Sequence, residues 1–154
     1  ELEASMVLFY TGAPRTSDKI IREQQENTRK GKKIQLEATH HIKQSSFIMK
    51  ELLLKGDITG FSRTLGKEWE NKKKMAASIT NRHIENIYEA AMSTGAYGGK
   101  VSGAGGGGFM FFATDPVRKL DLINALRRFN GRVLNFHFSE SGCQGWKINE
   151  TWKR

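Results

Sequence analysis

The sequence predicts an α+β fold, a ferredoxin-like antiparallel sheet backed by helices, with its first crossover expanded. Three observations lead there. Apolar patterns along the chain follow the order strand, helices, strand, strand, helix, strand, which is a β-α-β-β-α-β frame. The long first interval carries several helical periods in succession, each closed by a turn residue. The two middle strands are joined by a run of glycine, Gly103-Ala-Gly-Gly-Gly-Gly108, rather than by a helix. No internal repeat and no low-complexity linker interrupts this order.

Ser5 to Tyr10 (SMVLFY) is apolar and β-favouring, and Thr11-Gly12 with Pro14 stops it, so a strand leads into a loop. Arg15 to Arg29 is polar, helical from about Ser17 as N-cap, with Ile20 and Ile21 as its apolar edge. Ile34, Ala38, His41 or Ile42, Ser45, Ile48 or Met49, and Leu52 recur at helical spacing, and Gly56 stands where that helix ends. Asp57 caps the next helix, whose buried stripe is Ile58, Phe61, Leu65 and Trp69. A further helix follows Thr80 or Asn81, turns Ile84, Ile87, Tyr88 and Ala91 inward, and ends at Gly95.

Beyond Gly95 the period changes. Tyr97 to Ser102 reads as a strand, and Phe109 to Ala113 (FMFFA) as a strand buried on both faces. Asp115-Pro116 is a helix start, an N-cap followed by proline at the first helical position. Ile123 and Leu126 face the core until Asn130-Gly131. Leu134, Phe136 and Phe138 alternate with Val133, Asn135 and His137, which marks a strand. Gly142, Gly145, Trp146 and Ile148 read as a short edge strand, and Glu150 to Arg154 as a polar tail.

At 154 residues the chain is one domain's worth, long enough to bury a core. No apolar run approaches the ~20 residues of a membrane span and no secretory leader opens the sequence, so no membrane partner is expected. A single cysteine, Cys143, excludes an internal disulfide and fits the cytoplasm. The opening Glu1-Leu-Glu-Ala-Ser-Met lacks an initiator methionine and runs at once into a strand, as a cut through a longer polypeptide would. The net charge of +9 favours polyanions or phosphorylated ligands, or else reflects solvated helix faces. Its lysines cluster (Lys30, Lys32, Lys33; Lys72, Lys73, Lys74) without the interleaved aromatics that a single-strand binder stacks on bases.

The glycine run demands chemistry. Glycine is entropically costly to order, so five in six positions weaken an ordinary turn. The run makes sense where main-chain N–H groups must approach an anion without Cβ atoms in the way; the structural alternative is a tight connection packed beneath another backbone. Gly103, Gly105 and Gly108 satisfy G-x-G-x-x-G, but a dinucleotide fold begins a helix there, and here a strand follows. A Walker loop ends in Gly-Lys-Ser/Thr, whereas Gly108 precedes Phe109. No V-A-I-K, H-R-D or D-F-G follows, which excludes a protein-kinase loop.

A strand–glycine loop–strand in a ferredoxin-like sheet resembles the third motif of the GHMP kinases. Phe9-Tyr-Thr-Gly12 with Arg15 and Ser17, Trp69 followed by Lys72-Lys73, and Gly95 to Phe109 (GAYGGKVSGAGGGGF) are similar to the D-glycero-D-manno-heptose 7-phosphate kinase branch. The resemblance runs from about Val7 to Ile148 and makes residues 1–154 a GHMP kinase C-terminal domain. It implies transfer of the ATP γ-phosphoryl group to the anomeric hydroxyl of a heptose phosphate, with Mg²⁺. It implies that Gly103, Ala104, Gly105, Gly106, Gly107 and Gly108 bind the nucleotide. Arg15, Lys72, Lys73 and Lys100 are candidates for the sugar phosphate, with a solvated face as the alternative for each. The family's main ATP loop (Pro-x-x-x-Gly-Leu-Gly-Ser-Ser-Ala) and its catalytic aspartate belong to an N-terminal domain; neither pattern occurs here, so this chain is expected to hold half a cleft and to be inactive alone.

No metal site is expected. His40-His41 are adjacent rather than three or four apart, and His83, His137 and Cys143 lie far away, so helix-surface histidines and a small buried or edge thiol are the readings. Trp69 reads as core. Competing readings are a basic ferredoxin-like nucleic-acid module and a metabolite-binding regulatory domain. Phe109-Met-Phe-Phe112 superficially fits the former, but no paired second motif accompanies it, so no nucleic-acid partner is expected.

Overall fold

The computed structural model describes residues 1–13 and 17–146. A helical turn, α1 (Leu2–Ser5), leads into β1 (Met6–Tyr10). The first crossover holds α2 (Ser17–Arg29), α3 (Lys33–Leu54), α4 (Ile58–Lys73), a 3₁₀ turn at Ala77–Ile79, and α5 (Arg82–Ser93). Then come β2 (Gly98–Val101), β3 (Phe109–Ala113), a 3₁₀ turn at Pro116–Arg118, α6 (Lys119–Leu126) and β4 (Arg132–Leu134). The sheet order is β2-β3-β1-β4, and each neighbouring pair is antiparallel. β3 therefore lies between β1 and β2, the split arrangement of a ferredoxin-like sheet.

Local chemistry sets the boundaries. The Asp57 carboxylate accepts the Gly60 amide at 2.8 Å, Asn81 Oδ1 accepts the Ile84 amide at 3.0 Å, and the Asp115 carboxylate accepts the Val117 amide at 2.9 Å. Each cap satisfies an orphan donor, and such caps contribute about 1 kcal/mol apiece. One sheet face (Val7, Phe9, Val101, Met110, Phe112) closes on Ile84, Ile87 and Ala91 of α5 and on Leu122 and Leu126 of α6. Trp69 joins this core with no exposed surface.

α4 lies directly against β2 through two glycines. A Cβ on Gly98 would stand 2.3 Å from the Ser62 carbonyl oxygen, and one on Gly66 would stand 3.1 Å from the Gly98 Cα. This contact brings the last turn of α4, with Lys72 and Lys73, to the end of β2 where the glycine run begins.

Several expectations are corrected. β3 is not buried on both faces along its length: Met110 and Phe112 are buried under α5 and α6, but Phe109 is 40% exposed and Phe111 half-buried on the opposite face. The last strand stops at Leu134 instead of running through Phe138. There the Glu3 carboxylate takes over, accepting the Phe138 amide at 2.7 Å and pairing with His137 at 2.9 Å. No strand forms across 142–146, and Ile148 lies outside the described residues. Along α3, Ala38 is buried and Ile42, Ser45, Met49 and Leu52 form the half-buried stripe, whereas Ile34 and Ile48 are 62% and 54% exposed. α3 has one long partner, α4, so only a narrow stripe is covered. Ile21 is likewise exposed, while Ile20 is buried.

Candidate functional site

The glycine run is half structural and half unsatisfied. Four of its six carbonyls are held by the protein: Lys72 Nζ donates to Gly103, Gln24 Nε2 to Ala104 at 3.5 Å, Asn81 Nδ2 to Gly106 at 3.2 Å, and the Thr11 amide to Gly108 at 2.8 Å. The Gly106 amide donates to Ile79 O and the Gly108 amide to Ala13 O, at 2.8 and 3.1 Å. By contrast, among the described residues the amides of Gly103, Ala104, Gly105 and Gly107 meet no acceptor. Gly105 and Gly107 are buried, where an unpaired N–H is costly and native proteins rarely leave one. The backbone conformation that presents these amides, with φ +79° at Gly103, +117° at Gly105 and +147° at Gly107, is one that L side chains rarely adopt.

The run sits against the 3₁₀ turn at Ala77–Ile79, which Glu23 of α2 pins in place. The Glu23 carboxylate accepts the Ser78 hydroxyl and the amides of Ala77 (2.8 Å) and Ser78 (3.3 Å). The Ser78 hydroxyl, followed by those amides, holds the Glu23 pKa below the usual carboxylate range. Beside Gly106 a cleft of about 290 Å³ opens, walled by Thr11, Gly12, Asn81, His83 and Asn130. His83 Nε2 donates to the Thr11 carbonyl at 2.8 Å, and the Thr11 hydroxyl, in a residue 1% exposed, has no hydrogen-bond partner among the described residues. Thr11, Asn81 and His83 were not among the sequence's site candidates. Asn81 was legible as a cap, but its second arm to Gly106 and the reach of His83 across 72 positions carry no local signal.

The lysines separate into two kinds. Lys73 is neutralised, at 2.9 Å from Glu70 and 3.1 Å from Glu85, and its ammonium lies over the rings of Trp69 and Tyr88. Burial works against that charge, yet the hydrogen bonds and charges of Glu70 and Glu85 outweigh it and raise the pKa. Lys72, one residue earlier, has no carboxylate partner among the described residues. Burial, with the charge of Lys100 added, pushes it down to about 8. Lys100 projects from β2, also lowered by burial, with Glu68 drawing it partly back. Lys72 and Lys100 thus come together at the start of the glycine run, and Lys73 belongs to an internal ion pair.

Arg15 lies outside the described residues. His40 and His41 are exposed on α3, and Cys143 is exposed rather than a buried or edge thiol, since the segment around it forms no strand. Among the described residues no three His, Cys, Asp or Glu side chains are placed to hold a metal ion. No described helix is long and apolar enough to cross a membrane.

Comparison with known proteins follows the same architecture. The profile described as GHMP kinases C terminal matches residues 49–132, more than half of the chain. A D-glycero-alpha-D-manno-heptose 7-phosphate kinase from Campylobacter jejuni is 43% identical over 148 residues, which is 96% of this chain and 43% of that protein. The crystal structure of a D-glycero-D-manno-heptose 1-phosphate kinase from Bacteroides thetaiotaomicron aligns with a TM-score of 0.63 and 38% identity, covering 96% of this chain and 37% of that one. The mevalonate kinase of L. major shares the fold, with a TM-score of 0.72 at 18% identity over 80% of this chain and 37% of that one. The chain therefore spans about two fifths of the length of these relatives.

Proposed function

Since this chain belongs to the GHMP kinase C-terminal family, we propose that it forms one wall of the active site of an ATP-dependent kinase acting on a sugar phosphate. The observation that carries this reading is the set of unpaired main-chain amides at Gly103, Ala104, Gly105 and Gly107, fixed between two sheet strands. Phosphoryl transfer asks a protein mainly for positioning and for neutralising charge on the phosphate oxygens, and preorganised N–H donors do both without reorganising. The unpaired donors fit the phosphates of ATP. Mg²⁺, when bound, would neutralise the same phosphate oxygens, as is general for this reaction class.

The acceptor in this reading is D-glycero-D-manno-heptose 7-phosphate, the compound in the Campylobacter jejuni relative's name, and the group we propose to react is its anomeric hydroxyl. Its oxygen forms a bond to the γ-phosphorus, the bond from that phosphorus to the β–γ bridging oxygen breaks, and ADP leaves. The hydroxyl proton passes to a base supplied by a second, N-terminal lobe of the same polypeptide, which also carries the main ATP loop. The enzyme works in the cytoplasm, where ATP is available and Cys143 stays reduced.

The test is a phosphoryl-transfer assay. The full-length polypeptide, given ATP, Mg²⁺ and the heptose 7-phosphate, releases ADP and a heptose bisphosphate whose new phosphorus couples to the anomeric proton by NMR. The 154-residue chain alone turns over at background. Robust turnover by this chain alone, or none by the full polypeptide with any sugar phosphate, contradicts the reading.

A further inference from the structure

The two lysines at the start of the glycine run pose a problem of charge. Lys72 comes from the last turn of α4 and Lys100 from β2; both are half-buried, and each is close enough to feel the other. Lys72 donates to the Gly103 carbonyl, and neither lysine forms an ion pair among the described residues. Among the described residues Glu68 is the carboxylate that attracts Lys100. Its Oε1 accepts from Asn71 at 3.2 Å, and its buried Oε2 has no partner among the described residues. Two positive charges facing one negative leave a net positive site in a half-desolvated position, which is unfavourable unless an anion completes it. The contrast with Lys73 is informative, because Glu70 of α4 and Glu85 of α5 both pair with Lys73, whereas among the described residues no carboxylate pairs with Lys72.

We propose that Lys72 and Lys100, at the Gly103 edge of the glycine run, form a subsite for a phosphate dianion. The subsite rests on the kinase reading above and adds to it a second phosphate-binding position, beside the amides of the run. The three donors of each lysine ammonium match the several oxygens of a terminal phosphate better than the two oxygens of a single carboxylate. The phosphate can come from the acceptor's phosphate ester or from the nucleotide, and kinetics separates the two.

The experiment uses the full-length polypeptide and the variants Lys72→Gln, Lys100→Gln and Lys72→Arg. Each Gln variant removes a charge-assisted hydrogen bond, so KM for the substrate whose phosphate sits there rises about ten-fold or more, while KM for the other stays within about two-fold. A rise for the sugar phosphate assigns the subsite to the acceptor; a rise for ATP assigns it to the nucleotide. Inorganic phosphate competes with that same substrate in the wild type and loses its hold in the Gln variants. Lys72→Arg keeps the charge and most of the affinity. A pH profile of the wild type serves where a Gln variant fails to fold: kcat/KM for the affected substrate falls as pH rises through about 8, where Lys72, half-buried beside the Lys100 ammonium that Glu68 attracts, loses its proton. Lys72→Arg removes that fall. Folded Gln variants with both KM values unmoved overturn the subsite but not the kinase; a wild type that phosphorylates no sugar phosphate overturns the kinase reading itself.

Discussion

Gly105→Ala in the full-length polypeptide is expected to lower kcat/KM about a hundred-fold and to destabilise the fold by about 3 kcal/mol. The added methyl would stand 2.6 Å from the Ile79 carbonyl oxygen and 2.9 Å from its Cα, both main-chain atoms that cannot rotate away. The position also requires a φ of +117°, where an alanine is strained. Strain of that kind and overpacking each cost on the order of 1–3 kcal/mol. The loss of activity follows because the run must shift off the 3₁₀ turn, which moves the amides at Ala104, Gly105 and Gly107 together, and a displacement near 1 Å costs roughly a hundred-fold in rate. Thermal unfolding and steady-state kinetics on the same preparation separate the two effects. An alanine variant with wild-type kcat/KM would show that the loop geometry is not what the reaction uses.

Trp69→Ala is the second large effect, a loss of about 3–5 kcal/mol, as for large aromatic side chains removed from a packed core. Trp69 has no exposed surface and touches the half-buried Lys73 ammonium through its ring, so truncation opens a cavity beneath α4 and loosens the helix that carries Lys72. Its indole N–H has no hydrogen-bond partner among the described residues, so the ring matters for its bulk rather than for a polar contact. Trp69→Phe should therefore cost less than about 1.5 kcal/mol. Chemical denaturation of the two variants checks the ordering. A Phe variant as damaged as the Ala variant would mean that the indole nitrogen has a role the packing does not reveal.

The parts of this fold set by neighbours in sequence were legible from sequence. Asp57, Asn81 and Asp115 cap helices that begin within three residues of them, and β1 and β3 are each a contiguous apolar run, though which face of β3 is buried is not written in FMFFA. What depended on distant partners was not. Lys72 and Lys73 look alike in the chain, and only the fold shows that Lys73 meets Glu85, while Lys72 is laid against Gly103 by the α4–β2 contact. The sequence marked Gly103 to Gly108 as one anion loop, yet the structure divides it: Gly106 and Gly108 donate internally because Ile79 and Ala13 come alongside. The early end of β4 was hidden for a similar reason, since Glu3 takes the Phe138 amide from 135 positions away.

Whether the glycine run holds phosphate oxygens through its main chain can be read directly by hydrogen–deuterium exchange on the full-length polypeptide. The amides of Gly103, Ala104, Gly105 and Gly107 have no acceptor among the described residues, so in the free protein a peptide covering 103–107 should exchange readily. Adding a non-hydrolysable ATP analogue should slow that exchange at least ten-fold, with little change in the peptides of α3. Saturating nucleotide binding that leaves exchange across 103–107 unaltered would contradict the account.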